Sequence, residues 1–436
     1  MRFGTDGFRG PIETDITPEF CLNLGYHTGK IILEKGYDSV IIGKDTRVSG
    51  YMLESALQAG FISSGIDVKL AGPIPTPAVS FLTATYAGQF GVVISASHNP
   101  YEDNGIKFFN RHGRKVTENL EHEIESRLNS PIKPVEASKL GKAFRIDSAS
   151  GRYIEYCKST LRGKHSFKNI KILVDGANGA NYKITPMLLE ELGAEVIRVN
   201  CDPDGFNINV NSAVLDQSLF KKYAKEYSFD FCAAVDGDGD RLVLADADGD
   251  VFNGDDILYL LAKSNLQRNV NGCNAVVGTD MTNQGVADAL SKHKIKLIRS
   301  QVGDKFISRE LVEKDLILGA ETSGHIIQRN YSESGDANIA LIQVLTAIQE
   351  SGVSLKEVSS EITKYAHNLE SISVEDKTII DREENQKALK IVKEKFPSAR
   401  INIRASGTEN KIRIMVESKD NRQNAQVLNE IKSLIK

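Results

Sequence analysis

Val40-Ile41-Ile42 running into Gly43-Lys44-Asp45-Thr46-Arg47 decides the fold. An apolar β-branched run stops at a polar turn, and helical periodicity follows from Tyr51 to Phe61, so the stretch reads as strand, turn and helix. The same unit begins twice more. Ile172-Leu173-Val174 leads into Asp175-Gly176-Ala177-Asn178-Gly179, with helical spacing after Lys183. Ala275-Val276-Val277 leads into Gly278-Thr279-Asp280, with a helix over Gln284 to Ser291.

Downstream of each start, a second apolar run ends in an unusual loop. Val92-Val93-Ile94 opens Ser95-Ala96-Ser97-His98-Asn99-Pro100, and Ala233-Ala234-Val235 opens Asp236-Gly237-Asp238-Gly239-Asp240-Arg241. Leu316-Ile317-Leu318 opens Gly319-Ala320-Glu321-Thr322-Ser323-Gly324-His325. The expectation is an α/β protein with three similar α/β domains of mixed, mainly parallel sheets. Each domain presents a loop at the C-terminal end of a strand, where open α/β sheets bind ligands. The end of the chain differs. Strand patterns at Glu370 to Val374, Arg400 to Arg404 and Lys411 to Val416, with helices over Arg382 to Lys395 and Asn421 to Ile435, predict a smaller C-terminal α+β domain. The predicted boundaries are 1–147, 148–247, 248–365 and 366–436.

Composition narrows the function classes. With 41% hydrophobic and 26% charged residues, the chain of 436 has the make-up of folded domains and not of a disordered protein. Lys and Arg number 54 against 58 Asp and Glu, a balance that argues against nucleic acid as partner. Five scattered Cys suit reduced thiols better than a disulfide frame or a zinc site. The opening Met1-Arg2-Phe3-Gly4 lacks the apolar core of a signal peptide, and no run reaches the length of a membrane span. The expectation is a cytoplasmic protein with no membrane partner, monomeric or homodimeric.

Asp236, Asp238 and Asp240 alternate in a glycine-relieved loop directly after a buried strand, so three carboxylates converge on one hard cation. A calcium EF-hand is rejected, because Arg241 and Ala247 occupy the positions where that loop needs Gly and Glu. Oxygen-only ligands favour magnesium. The similar run Asp246-Ala247-Asp248-Gly249-Asp250 reads as a hairpin tip. Ser97 lies in a turn of small residues that suits a nucleophilic hydroxyl. Ser95 and Asn99 replace the glycines of a hydrolase elbow, and alone the Ser97-His98 pair fits a turn hydrogen bond as well. Arg404-Ala405-Ser406-Gly407-Thr408 offers a guanidinium, hydroxyls and glycine-exposed amides to a phosphate, and fits a hairpin turn equally. Glu321 to His325 suits sugar hydroxyls, or simply a polar loop. The stretches Phe3-Gly4-Thr5-Asp6-Gly7-Phe8-Arg9-Gly10 and Asp103-Asn104-Gly105-Ile106-Lys107 fit plain turns, or turns that bring the cations Arg9 and Lys107 to a phosphate.

Taken in order, one per domain, these four loops resemble those of the α-D-phosphohexomutase superfamily. Ser95 to Pro100 matches its phosphoserine motif, Asp236 to Arg241 its magnesium motif, Glu321 to His325 its sugar loop and Arg404 to Thr408 its phosphate loop. Met1 to Gly10, Ile41 to Leu57, Val93 to Phe109, Gly151 to Lys158, Gly303-Asp304 and Gly319 to His325 resemble the branch acting on glucosamine phosphates. There are two departures. Ala213-Val214-Leu215 stand where the family has a Gly-Ser-Thr-type run, and Asn410 replaces a usual Pro.

The resemblance implies an active site in the central cleft and an isomerase that interconverts glucosamine 6-phosphate and glucosamine 1-phosphate. The product feeds UDP-N-acetylglucosamine and cell-wall precursor synthesis; the alternative is mannose or glucose phosphate as substrate. Ser97 carries the phosphoryl group, and a sugar 1,6-bisphosphate is intermediate and activator. One magnesium per chain is held by Asp236, Asp238, Asp240 and phosphorylated Ser97. Arg241, Arg9 and Lys107 add positive potential, and either Lys107 or His325 moves the proton. Glu321, Ser323 and His325 read the sugar, while Arg404, Ser406, Gly407 and Thr408 hold the distal phosphate.

Overall fold

A computed structural model describes residues 2–4, 6–86, 89–161, 163, 166–405 and 410–434. Among them lie three mixed sheets built on one plan, and a fourth that is antiparallel. In the first, Ser39–Lys44 is central, parallel to Asp67–Pro73 on one side and Phe90–Ile94 on the other; Asp103–Phe109 returns antiparallel beside Phe90–Ile94. In the second, Lys171–Asp175 lies between parallel Glu195–Val199 and Phe231–Val235, and Leu242–Asp246 returns antiparallel. In the third, Ala275–Thr279 lies between parallel Lys296–Ser300 and Leu318–Ala320, and Ile326–Gln328 returns antiparallel. The loops at Ser97, Asp236 and Glu321 are thus the same connection in three copies, from the outer parallel strand to its antiparallel neighbour.

The third of these strands starts at Leu318, so Leu316 and Ile317 of the expected run lie outside it. The strand Val251–Phe252 pairs with Leu242–Asp246 and completes the hairpin whose tip is Asp246 to Asp250. One apolar cluster runs through the first three sheets, joining Val79 and Leu82 to Val174, Val235 and Leu242 and on to Val276, Leu318 and Ile339. Its spine is the helix Ala337–Ser351, buried along most of its length. The last sheet, with Lys411–Ser418 between Ala366–Ser373 and Arg400–Ala405, has a separate apolar core under the helices Glu383–Lys395 and Asn421–Leu434. It docks on the third sheet by polar contacts. Arg400, paired with Glu417 at 2.7 Å, donates to the carbonyls of Asp280 and Thr282, and Gln284 N donates to Glu417 Oε1 at 3.2 Å. No helix among the described residues is long and apolar enough to cross a membrane.

Candidate active site

Ser97 stands at the tip of the first loop, 2% exposed, with its Oγ donating to Asp236 Oδ2 at 2.7 Å. Its φ of 52° is in the left-handed region, which costs a non-glycine residue on the order of 1 kcal/mol and persists only where surroundings enforce it. The aspartate loop comes close because Gly237 lacks a side chain; a Cβ there would sit 2.6 Å from the Ser97 carbonyl oxygen.

The first three domains all hold the aspartate loop. From the first, Thr76 Oγ1 donates to Asp238 Oδ2 at 2.5 Å, and Lys107 Nζ lies 2.7 Å from Asp238 Oδ2, 2.7 Å from Asp6 Oδ2 and 3.6 Å from Asp240 Oδ2. From the second, the backbone N–H groups of Asp240 and Arg241 each donate to Asp236 Oδ1 at 3.1 Å. From the third, Leu242 N donates to the Gly324 carbonyl at 2.9 Å, and Arg241 pairs with His325 in an antiparallel bridge. Gly324, with φ 95°, permits this approach; a Cβ would meet the Leu242 carbonyl oxygen at 2.3 Å. His325 Nδ1 lies 3.5 Å from Asp240 Oδ1 and its Nε2 lies 3.6 Å from Asp304 Oδ2; these are ion-pair contacts, and among the described residues neither His325 Nε2 nor Asp240 Oδ1 has a hydrogen bond. Lys115 links Asp304 back to Asp6, whose Oδ1 is at 2.5 Å.

Charge explains the protonation states. Burial, together with the charges of Asp240 and Asp238, pushes Asp236 up to about 8 against the pull of Arg241 and Ser97. Burial opposes the charge on Lys107, but Asp238, Asp6 and Asp240 outweigh it and hold its proton firmly. Burial likewise opposes the His325 charge, and Asp240, Asp304 and Glu321 overcome it, raising the ring to about 9. His98 goes the other way. Burial, then Arg241 and Arg9, lower it to about 4, so both cations act beside Ser97. Arg241 Nε is buried without a hydrogen-bond partner among the described residues, a donor suited to an anion.

Asp236, Asp238 and Asp240 each offer a carboxylate oxygen, all within 4.8 Å of one another, and Asp238 Oδ1 and Asp240 Oδ1 are buried without hydrogen-bond partners among the described residues. Clustered buried carboxylates with orphan oxygens fit a hard divalent cation, so the triad can bind a metal. Asp246, Asp248 and Asp250 also cluster, but in the partly to fully exposed hairpin tip, where Lys221 pairs with Asp250 at 2.5 Å.

In the third loop, Glu321 Oε1 accepts from Gly303 N at 2.8 Å and Oε2 from Ser323 Oγ at 2.9 Å, which fixes the carboxylate. Arg404 is on the last sheet, directly opposite Arg413, and lines a cavity of about 200 Å³ with Met281 of the third domain. No contact among the described residues joins Arg404 to Ser97 or the aspartates. Its guanidinium is pulled down by burial and by Arg413, while Asp280 and Glu321 pull it up, which places it in electrostatic reach of the third loop. Ser406, Gly407 and Thr408 lie outside the described residues. Sequence reasoning missed Asp6, Thr76, Lys115 and Asp304. It also passed over Asp45, Arg47 and Asn209, which brace the Ser97 loop. In the departure Ala213-Val214-Leu215, Ala213 and Val214 are packing positions in one apolar cluster with Leu173, Phe220 and Cys232 of the second domain, while Leu215 is exposed.

Four family models match, in order, the phosphoglucomutase/phosphomannomutase alpha/beta/alpha domains I (residues 1–134), II (151–249) and III (253–365) and the C-terminal domain (370–434). The chain belongs to the phosphoglucomutase/phosphomannomutase family. It is therefore an α-D-phosphohexomutase, an isomerase that transfers phosphate intramolecularly. It is similar to the phosphoglucosamine mutase of Hydrogenovibrio crunogenus, at 46% identity over 99% of this chain and 97% of that one. It also resembles the phosphoglucosamine mutase of Aliivibrio salmonicida, at 45% identity over 96% and 94%. Among solved structures, a phosphoglucomutase/phosphomannomutase family protein from Burkholderia thailandensis has the same fold, with a TM-score of 0.83 at 20% identity, covering 99% of this chain and 96% of that one. So does Aspergillus fumigatus N-acetylphosphoglucosamine mutase in complex with GlcNAc-6P and magnesium, with a TM-score of 0.70 at 17% identity over 100% and 95%.

Proposed function

We propose that the enzyme interconverts glucosamine 6-phosphate and glucosamine 1-phosphate, with Ser97 as phosphoryl carrier and a sugar 1,6-bisphosphate as intermediate and activator. One observation carries the substrate: relatives named phosphoglucosamine mutase match this chain at 46% identity from end to end. The buried hydrogen bond from Ser97 Oγ to Asp236 supports the carrier.

A sugar hydroxyl attacks the phosphorus on Ser97, the bond from phosphorus to Ser97 Oγ breaks, and in net terms the hydroxyl proton ends on the freed Ser97 Oγ. The bisphosphate turns end for end, and its other phosphoryl returns to Ser97. Magnesium is the metal whose ligands would be Asp236, Asp238, Asp240 and an oxygen of phosphorylated Ser97. When bound, it supplies charge neutralisation on the transferring group. Arg241, with its unpartnered Nε, and Arg9 hold positive potential over the same group.

His325 is the proton carrier: its ring holds a proton at neutral pH, gives it to the departing Ser97 Oγ and takes up the one that the sugar hydroxyl loses, and its Nε2 has no hydrogen bond among the described residues. Lys107 is tied to three carboxylates and keeps its proton, so its role is to hold the aspartate loop in place. Glu321 and Ser323 read hydroxyls common to both sugar orientations. Arg404, with Ser406, Gly407 and Thr408, holds the phosphate that is not reacting. We place the enzyme in the cytoplasm, as a monomer or homodimer, with neither nucleic acid nor membrane as partner.

Coupled assays of glucosamine 6-phosphate, mannose 6-phosphate and glucose 6-phosphate, run side by side, test the substrate. We expect kcat/KM for the glucosamine compound to exceed the others by about a hundredfold, the scale on which a site separates substrates that differ by one near-isosteric group. A preference for mannose or glucose 6-phosphate would move the activity to the other branch of the family.

A further inference from the structure

We propose that Arg47 is a positioning residue for phosphoryl transfer, fixing the backbone that aims Ser97. The inference rests on Ser97 being the phosphoryl carrier. Arg47 is fully buried, as is its partner Asp45. Its Nη2 donates to the carbonyls of Ser97 at 3.0 Å and Asn99 at 2.8 Å, and its Nη1 to those of Pro100 and Asp103, the latter at 3.1 Å. Its Nε donates to Asp45 Oδ2 at 2.8 Å. All five N–H groups of the guanidinium are thereby used, three of them on the loop that carries Ser97 and one on the first residue of the strand that follows it.

The same ion pair fixes the other side of Ser97. Asp45 Oδ2 accepts from Ser95 Oγ at 2.6 Å, and Ser95 Oγ accepts from Ser97 N at 2.9 Å. Both peptide groups flanking Ser97 are therefore anchored on Asp45 and Arg47, which is what holds a serine in a left-handed conformation. Asn209 of the second domain adds a brace, with Nδ2 donating to the carbonyls of Ser97 at 2.8 Å and Asn99 at 3.0 Å. Because Asp45 neutralises Arg47 locally, the contribution is geometric. The carrier oxygen must stand in one place while the sugar turns round in front of it, and the guanidinium fork supplies that fixity. A lysine, with three donors on a point charge, cannot reproduce it.

The test compares wild type, Arg47→Lys and Ser95→Ala by kcat, KM for glucosamine 6-phosphate, and the phosphoryl content of the Ser97 peptide. Misaiming the carrier should lower kcat about a hundredfold in Arg47→Lys and about tenfold in Ser95→Ala, with KM within about twofold of wild type. Ser95→Ala removes one hydroxyl and no charge, so it decides the matter if Arg47→Lys does not fold. An unchanged kcat in the folded variants, whatever KM does, overturns the proposal while leaving a phosphorylated wild-type Ser97 as carrier. A wild-type enzyme that turns over with no phosphoryl group on Ser97 overturns the carrier assignment, and this proposal with it.

Discussion

Asp236, Asp238 and Asp240 stand at alternate positions in the sequence, yet the fold gives each a different set of partners. Asp236 is engaged by Ser97 and two backbone N–H groups, Asp238 by Lys107 and Thr76, and Asp240 by Lys107 and His325. Asp238→Asn removes one charge from the cluster and loosens the Lys107 contact. We expect magnesium affinity, measured by calorimetry, to fall about tenfold or more and turnover to fall with it, since an amide oxygen is a weaker partner for a hard cation. Unchanged affinity, or turnover that survives excess chelator, would make the loop purely structural. The aspartates and Ser97 were legible because unusual residue types crowd into glycine-rich loops after buried strands. Asp6, Lys115 and Asp304 were not, since each is an ordinary charge until folding buries it, and their mutual pairing spans long stretches of chain. Asp45 and Arg47 carried a usable signal: two opposite charges at the end of a run otherwise bound for the core.

The helix Ala337–Ser351 shows what an element contributes. It is apolar nearly all round and its first eleven residues are buried in the shared core, so its N-terminal end must be satisfied internally. Asp336 caps it: Oδ1 accepts from Ile339 N at 2.9 Å and from Tyr153 Oη at 2.8 Å, while Oδ2 is buried with no hydrogen-bond partner among the described residues. Burial outweighs those two hydrogen bonds and raises the carboxyl from the ordinary 3.8 to about 6. The folded state therefore keeps a proton that the unfolded chain gives up first. This stabilisation is complete below pH 3.8 and is lost as pH rises through about 6. Asp336→Asn keeps a capping oxygen without the charge, so its stability relative to wild type should improve between about pH 4 and pH 7, by up to about 3 kcal/mol. Thermal midpoints of both proteins across that range check the sign; a constant difference would mean that Asp336 titrates normally. Strands and helices of this kind were readable from periodicity alone. The start of the third domain's loop strand was not, because Leu316 and Ile317 are apolar for packing beside the sheet and not for pairing in it.

Across the whole molecule, one connection is used three times, and each copy carries different chemistry. The serine, aspartate and glutamate loops leave equivalent strand ends, and the shared core holds the three sheets so that those ends meet. The triple strand–turn–helix pattern foretold this plan. Local sequence could not show that the three copies would share one continuous core, because a contact such as Asn338 Nδ2 to Asn181 Oδ1 at 2.9 Å joins residues far apart in the chain. The fourth domain has its own core and polar attachments to the third, an arrangement suited to a phosphate holder that adjusts to two substrate orientations. The claim that unites these loops is that phosphate passes through Ser97. Enzyme incubated with glucosamine 1,6-bisphosphate and digested should yield a single phosphorylated peptide, bearing Ser97. A chase with glucosamine 6-phosphate, the substrate of the phosphorylated enzyme, should strip that phosphate and return it as bisphosphate. A Ser97 peptide that stays unmodified while the enzyme turns over, or a Ser97→Ala enzyme with near-wild-type turnover, would contradict the account.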